Sequence, residues 1–179
     1  MRWRRFLLRE AIHVAVVLAW LVVLHGTVSA YEVDGASMEP TLHTRQYVVV
    51  DTVGSVQRSP QRGEVIVFHY PRNPKVEYVK RIVGLPGETI AISRGRVWIN
   101  DQPLDEPYVH ERPRYFWGPA MVPTDTLFVL GDNRNSSSDS HLWGPLPINL
   151  VVGRAWVAVG PLAGLKWLAG QTPSFSAAP

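Results

Sequence analysis

The residues of this chain best suited to chemistry fall in three short segments. The first is residues 35–42, GASMEPTL, in which Ser37 lies between small residues and a proline. A serine in such a bend is accessible, and its hydroxyl becomes a nucleophile when a base lies beside it. The segment alone is equally typical of an ordinary serine turn. Ser37 therefore needs a partner elsewhere in the chain.

Lys80 is a candidate base in the second segment, residues 75–88, KVEYVKRIVGLPGE. Alternate residues of a strand share a face, so Lys80 would lie beside Tyr78 as the one charge on an apolar face. Glu77 and Arg81 would lie on the opposite face, where they could pair. Burial of an ammonium lowers its pKa, and a neutral lysine can act as a base. The same pattern also fits a lysine whose stem is buried and whose ammonium reaches water.

The third segment is a dense polar run, GDNRNSSSDSHLWG, at residues 131–144. It stands between apolar segments and is typical of an exposed loop. It could also supply hydroxyls and a carboxylate that orient a buried amine.

Other kinds of catalytic site are not indicated. Ser37 lacks the Gly-x-Ser-x-Gly flanks of a nucleophile elbow. No pair of histidines has helical metal-ligand spacing. The chain contains no cysteine, which excludes disulfides, thiolate nucleophiles and cysteine-based zinc sites. We therefore expect neither a cofactor nor a metal.

The amino terminus predicts a membrane anchor. Arginines at positions 2, 4, 5 and 9 carry much of the formal net charge of +3, so a surface for nucleic acid is not expected. Residues 11–30 carry no Asp, Glu, Lys or Arg, and 20 helical residues span the ~30 Å hydrocarbon layer. The arginines favour a cytoplasmic segment at residues 1–10 and a transmembrane helix at 11–30, with the rest of the chain outside.

A cleavable signal peptide is the alternative for this segment. Residues 28–30, VSA, resemble a small-residue cleavage site. The apolar stretch is nevertheless longer than the usual ~7–15 residues of a signal-peptide core, which favours a retained anchor. A buried core helix is disfavoured by the basic flank and the nearly uncharged run.

Short β-type runs dominate the remainder and predict a mainly β, antiparallel domain over residues 31–170. The runs lie at residues 46–51, 64–69, 75–83, 89–92, 96–100, 127–130 and 153–159. Residues 93–95, SRG, are typical of a hairpin turn. We expect an excursion or small subdomain over residues 92–123 and a flexible tail at 171–179.

Together, the three polar segments closely resemble the sequence blocks of bacterial type I signal peptidase, a Ser/Lys protease. SMEPTL at 37–42 resembles the nucleophile block, YVKRIVGLPG at 78–87 the lysine block, and 131–144 the last block. WIN at 98–100 and LDEPY at 104–108 also resemble family sequence. The blocks occur in the family's order, and the resemblance extends from the anchor to about residue 159.

The resemblance implies roles for individual residues. Ser37 would attack the scissile carbonyl, Lys80 would take its proton, and the backbone N–H of Ser37 would stabilise the oxyanion. Ser137 matches the position that hydrogen-bonds the lysine amine, and Asp139 matches the supporting carboxylate. The positions that line the substrate pockets are matched by Val33, Met38, Leu42, Tyr78 and Val79.

Two positions depart from the family pattern. Many members have a serine two residues before the nucleophile that completes the oxyanion hole. This chain has Gly35 there, as other members do, so a backbone amide or a water must replace that hydroxyl. His141 stands where arginine is more usual. Asp139 and His141 are two residues apart, so an extended chain would place them on one face, where they could pair.

The resemblance also implies a function. The chain would be a single-pass enzyme of the plasma membrane, with its catalytic domain outside the cytoplasm. It would remove signal peptides from precursor proteins after Ala-x-Ala-like sequences, and its partners would be those precursors and the lipid bilayer. The alternatives are a Ser/Lys protease for one dedicated substrate and a non-catalytic tethered β domain. Intact Ser37 and Lys80 favour an enzyme.

Overall fold

The structure is a computed structural model that describes residues 3, 13, 27–54, 58–160, 164–168 and 173–175. Most described residues in regular structure belong to β-strands, and the helix that is described throughout its length is the short α1 (Ser140–Trp143), beside single 3-10 turns at Arg134–Ser136 and Ile148–Leu150. The prediction of a mainly β, antiparallel protein is confirmed. The thirteen strands of the described residues are β1 (Val28–Glu32), β2 (Tyr47–Asp51), β3 (Val65–Tyr70), β4 (Asn73–Gly84), β5 (Thr89–Ser93), β6 (Arg96–Ile99), β7 (Gln102–Asp105), β8 (Trp117–Met121), β9 (Thr126–Leu130), β10 (Leu146–Pro147), β11 (Val151–Gly160), β12 (Gly164–Trp167) and β13 (Ser174–Phe175).

The larger sheet has the strand order β1-β2-β11-β3-β4-β9-β10, with β12 paired to β11. All of its pairs are antiparallel. Strand β4 pairs with β3 along residues 77–81, whereas its pairing with β9 begins only at Arg81. Within the described part of the chain, the first half of β4 therefore has one edge without a strand partner. That edge and the free edge of β1 are the two backbone edges near Ser37.

The second sheet is an antiparallel excursion between β4 and β9, with the order β13-β7-β6-β5-β8. It begins at Thr89, three residues before the expected boundary. Arg94 and Gly95 form a two-residue turn between β5 and β6, both with positive φ (52° and 71°), which suits the twist of a hairpin. Strand β13 pairs with β7. Two residues of the expected flexible tail are thus part of this sheet.

The carboxyl end of the expected anchor is a strand. Residues 28–30 belong to β1, which pairs with β2 from Val28↔Asp51 to Glu32↔Tyr47. The predicted boundary at residue 30 was wrong, because the edge of β2 satisfies the backbone groups of these residues. No helix of the described residues is long and apolar enough to cross a membrane. The rest of the predicted anchor and the basic segment lies outside the described residues, apart from residues 3, 13 and 27.

A buried cluster beneath β1, β2 and β11 supports the segment that carries Ser37. Met38 and Leu42 are fully buried in it, beside Val48, Val50 and Leu168. Each fully buried side chain of this size contributes ~1.5–3 kcal/mol to stability. The turn that follows Ser37 is therefore fixed to the sheet by its own apolar residues.

Candidate active site

Ser37 lies at the start of a tight turn, residues 36–42, here called the nucleophile turn. Glu39 N–H donates to the Ala36 carbonyl at 3.1 Å, and Leu42 N–H donates to the Met38 carbonyl at 2.9 Å. From the other side, the Asn133 backbone N–H donates to the Ser37 carbonyl, and its side-chain amide donates to the Ala36 carbonyl, each at 3.1 Å. These hydrogen bonds fix the backbone on both sides of Ser37 and therefore the position from which its side chain projects.

The Lys80 ammonium reaches Ser37 from β4. Its Nζ donates to Ser37 Oγ at 2.7 Å and to the Val79 carbonyl at 2.8 Å. The two residues are 43 positions apart in sequence. A serine hydroxyl within hydrogen-bond reach of an amine is the geometry required of a nucleophile and its base.

The surroundings of Lys80 make its neutral form accessible. The residue is only 4% exposed. Burial lowers the pKa of Lys80 to about 8, while the charges of Asp139 and Asp132 oppose that shift. At pH 7 a lysine with this pKa is neutral about one time in ten, against about one in three thousand at the ordinary value. Desolvation thus gives a usable base, although both neighbouring carboxylates favour the ammonium.

Ser137 lies beside the dyad without the expected hydrogen bond to Lys80. Its Oγ is buried and makes no hydrogen bond within the described residues. It packs against Gly131, where an added Cβ would come within 2.2 Å of Ser137 Oγ and 2.4 Å of the Ser37 carbonyl oxygen. The second partner of the Lys80 amine is instead the Val79 carbonyl, which its own strand provides.

Asp139 is fully buried and pairs with His141. Its Oδ2 accepts from Gly131 N–H at 3.0 Å, and its Oδ1 accepts from His141 N–H at 3.2 Å and contacts His141 Nδ1 at 2.6 Å. The predicted contact is present, but the expected extended chain is not: Asp139 caps α1. The His141 ring also stacks on Tyr115, with centroids 4.1 Å apart. Burial raises the pKa of the Tyr115 hydroxyl, so this stack stays uncharged on its tyrosine side.

A cleft of about 640 Å³ opens beside the dyad. Val33, Tyr78 and Val79 line it, together with Ser37 and Lys80. Met38 and Leu42 were also predicted to line it, but both are core residues with no exposed surface. The resemblance assigned both positions to the pockets, but in this chain the turn after Ser37 directs both side chains into the core beneath it.

Gly35 forms part of the cleft wall in a conformation that favours glycine. Its φ is +96°, and no atom lies within 4 Å of where a Cβ would stand. Its N–H donates to Thr44 Oγ1 at 3.2 Å, so the Gly35 amide already has a partner outside the cleft.

Two buried ion pairs support the polar loop, residues 131–139, and sequence reasoning missed both. Arg81 donates to both carboxylate oxygens of Asp132 at 2.9 and 2.6 Å, and neither side chain is exposed. Arg134 forms a bidentate pair with Glu106, at 2.7 Å for each bond. Arg81 pairs with Asp132 instead of the expected Glu77, whose carboxylate lies 3.9 Å from His69 Nδ1. The strand is buried from Lys80 onward, whereas Glu77 is exposed. The sequence offered one signal for a buried ion pair here, the two adjacent cations Lys80 and Arg81 in the lysine block.

The residues described contain no group of three or more His, Cys, Asp or Glu side chains that could hold a metal ion. What the site offers is a hydroxyl, an amine and buried carboxylates.

Comparison with known proteins identifies the family of this chain. The family model described as signal peptidase, peptidase S26, matches residues 3–159. The chain belongs to this family. As an S26 peptidase, it is 42% identical to signal peptidase I of Leptolyngbya laminosa over 173 residues, 93% of this chain and 84% of that protein. It is 38% identical to signal peptidase I S of Bacillus subtilis (strain 168) over 143 residues, 74% of this chain and 76% of that protein.

A solved structure of a signal peptidase I from Enterococcus faecalis V583 is 32% identical to this S26 peptidase. It matches with a TM-score of 0.49, over 54% of this chain and 97% of that chain. The family assignment rests on the sequence matches, which also make this chain an enzyme, as predicted.

Proposed function

We propose that this S26 peptidase removes amino-terminal signal peptides from exported precursor proteins, with Ser37 as the nucleophile and Lys80 as the general base. The observation that carries the proposal is the 2.7 Å contact between Lys80 Nζ and Ser37 Oγ at a lysine whose pKa is lowered to about 8 by burial. The names of the relatives support the substrate class.

The proposed reaction proceeds in two halves. Neutral Lys80 accepts the proton of Ser37 Oγ as that oxygen bonds to the scissile carbonyl carbon. The Ser37 backbone N–H stabilises the oxygen that becomes negative. The C–N bond then breaks, and the Lys80 ammonium returns its proton to the departing amine. In the second half, Lys80 takes a proton from water as the water oxygen attacks the acyl ester. The ester C–O bond then breaks, and the Lys80 ammonium returns the proton to Ser37 Oγ as the signal peptide is released.

The two free backbone edges suit an extended substrate. The cleft lies between the segment at residues 31–37 and residues 75–80 of β4, the part of that strand whose second edge has no strand partner among the described residues. A substrate chain entering as a strand can hydrogen-bond to both edges. Val33, Tyr78 and Val79 then leave space for small side chains near the cut, which favours Ala-x-Ala-like sites. A bulky residue directly before the cut would overfill this space and cost about 1–3 kcal/mol.

We also propose that the apolar segment before β1 anchors the enzyme in the plasma membrane. Because β1 begins at Val28, the span is shortened to residues 11–27, which is 17 residues and the lower limit for crossing a bilayer (~17–25). The arginines before it favour a cytoplasmic amino terminus. The catalytic domain then lies outside, where precursors emerge.

The test is cleavage of an exported precursor by the detergent-solubilised full chain. We expect wild-type enzyme to release the signal peptide after a small residue, and Ser37→Ala to release none. Ser93→Ala is the matched control, because Ser93 lies in β5 of the second sheet. Cleavage by Ser37→Ala at the wild-type rate would refute Ser37 as the nucleophile.

Substrate choice is tested in the same assay. Precursors with Ala or Phe directly before the cut are compared at equal concentration, and we expect about 5–150-fold faster cleavage of the Ala form, the range that corresponds to about 1–3 kcal/mol. Equal rates for both would contradict a pocket for small side chains.

A further inference from the structure

Lys166 contacts the nucleophile turn from the opposite end of the chain. It lies in β12, and its Nζ donates to the Thr41 carbonyl at 2.9 Å, with the Pro40 carbonyl at 3.5 Å. The residue is half-buried. Its strand is joined to the sheet through β11, where Ala158 pairs with Lys166.

The turn has a physical need for this contact. The bond from Leu42 N–H to the Met38 carbonyl closes one helical turn, and the last carbonyls of such a turn have no intrahelical partner. A cation near these carbonyls can donate hydrogen bonds to them and is attracted by the negative end of the turn's dipole. Lys166 therefore donates to carbonyl groups that backbone N–H groups would have bonded if the helix had been longer.

The apolar contacts next to Lys166 point the same way. Leu168 follows β12 by one residue and is buried in the same cluster as Met38 and Leu42. Its N–H donates to the Trp156 carbonyl at 2.8 Å, which fixes the segment to β11. The carboxyl-terminal strand thus supports the turn by packing at Leu168 and by charge at Lys166. Both residues lie beyond the part of the chain that the S26 family model matches, residues 3–159.

We propose that Lys166 is a positioning residue that holds the nucleophile turn so that Ser37 Oγ stays within reach of Lys80. This rests on the proposed role of Ser37. Asn133 holds the turn at its start, through the Ala36 and Ser37 carbonyls. Lys166 holds its end. Without the second hold, the turn can shift away from β4, which lengthens the 2.7 Å contact that the reaction needs.

The first test is kinetic, with a peptide carrying a signal-peptide cleavage site and the full chain in detergent. We expect Lys166→Met to lower kcat about tenfold with KM within twofold of wild type, because the cleft itself is unchanged. Lys166→Arg keeps a cation on a long stem and should recover at least half of the loss. Arg96→Met removes an exposed cation from β6 of the second sheet and should leave kcat unchanged.

The pH profile separates positioning from electrostatics. If Lys166 acts through geometry, the midpoint of the kcat/KM profile stays at the wild-type value in Lys166→Met. A displaced midpoint, an unchanged kcat in the folded variant, or no recovery in Lys166→Arg would each overturn the proposal. Circular dichroism at the assay temperature checks folding. Should Lys166→Met be unfolded, Lys166→Gln is judged by the same criteria.

Amide hydrogen exchange tests the contact without any substrate. We expect faster exchange of the Glu39 and Leu42 amides in Lys166→Met than in wild type, and no change in Arg96→Met. If wild-type enzyme cleaved no precursor, the proposed function would be wrong, but the exchange rates would still show whether Lys166 stabilises the nucleophile turn. Equal exchange in wild type and Lys166→Met would show that Lys166 does not stabilise the turn.

Discussion

The chemistry of single residues here depends on how far each is removed from water. Lys80 and Lys166 both donate to backbone carbonyls, but Lys80 is only 4% exposed whereas Lys166 is half-buried. Burial lowers the pKa of Lys80 to about 8, although the neighbouring carboxylates would raise it. At Lys80 the loss of hydration therefore outweighs the attraction of the carboxylates.

Lys80→Arg should abolish cleavage although the positive charge is retained. A guanidinium is always protonated in proteins and cannot take the Ser37 proton. We expect kcat to fall by about 10²–10⁴-fold, the usual contribution of general-base catalysis. The measurement is peptide turnover at pH 8, with Arg96→Lys as a conservative control elsewhere. Substantial turnover by Lys80→Arg would exclude Lys80 as the base.

The pH dependence of activity should follow the deprotonation of Lys80. Wild-type kcat/KM is expected to rise about tenfold per pH unit below a midpoint near 8 and to level off above it. A flat profile between pH 6 and 9 would contradict the proposed base.

Stability should respond to the same proton with a defined sign. The folded-state pKa of Lys80, about 8, lies below its ordinary value of 10.5, so between these values the unfolded chain binds more protons. The free energy of unfolding therefore gains a rising contribution as pH increases from 8 to 10.5. Urea titrations should show that rise in wild type and a smaller one in Lys80→Met.

At the scale of elements, close packing between loops places the dyad. The polar loop follows β9 and touches the nucleophile turn through Gly131, which lies against the Ser37 carbonyl. Gly131→Ala should lower kcat on the order of 10²-fold, because its Cβ would stand 2.4 Å from that backbone oxygen and displace Ser37. The control is Gly160→Ala, whose Cβ would meet only the Gln46 side chain, at 3.0 Å. Equal activity of the two variants would show that the loop tolerates the shift.

The buried Arg81–Asp132 pair should be costly to break. Arg81→Met leaves the Asp132 carboxylate without its partner in a fully buried position, and we expect a loss of about 3–5 kcal/mol in the free energy of unfolding. Arg114→Met breaks the exposed Arg114–Glu111 pair and should cost at most about 1 kcal/mol. Urea unfolding compares the two variants. Similar losses in both would mean that burial of the pair carries no energetic weight.

The sequence predicted the strands and the meeting of Ser37 with Lys80 better than it predicted the residues around them. The resemblance to the family's blocks paired Lys80 with Ser37, and period-two alternation placed Lys80 on an apolar face of β4. It did not predict that Arg81 is buried as well, because that depends on Asp132, which is 51 residues away. Nor could it assign Met38 to the core, or predict that Ser137 Oγ is buried with no hydrogen-bond partner among the residues that the structure describes. These outcomes depend on which distant segments meet, and local patterns carry no information on that.

For the whole molecule, Glu106 joins the second sheet to the active site. It follows β7 directly and forms the bidentate pair with Arg134, which also donates to the Gly131 carbonyl at 3.1 Å. The excursion after β4 therefore supports the polar loop instead of standing apart from it. The strand β13 closes the far edge of the same sheet.

The Glu106–Arg134 pair should link stability and catalysis. Glu106→Gln leaves the buried Arg134 charge unpaired and should lower the free energy of unfolding by about 3–5 kcal/mol. It should also lower kcat at temperatures where the variant is folded, because Arg134 holds the loop that touches Ser37. Glu111→Gln, at an exposed pair, is the control for both readouts. Reduced stability with full kcat would confine the pair to a structural role.

The long sequence separation of Ser37 and Lys80 has a consequence for timing. Their contact bridges 43 residues and requires β4 to be paired with β3 and β9. In an extended chain Lys80 is hydrated and remains protonated near neutral pH, so it is no base. In the proposed mechanism, the peptidase is consequently latent during its own synthesis and translocation. It becomes active only once its sheet has assembled.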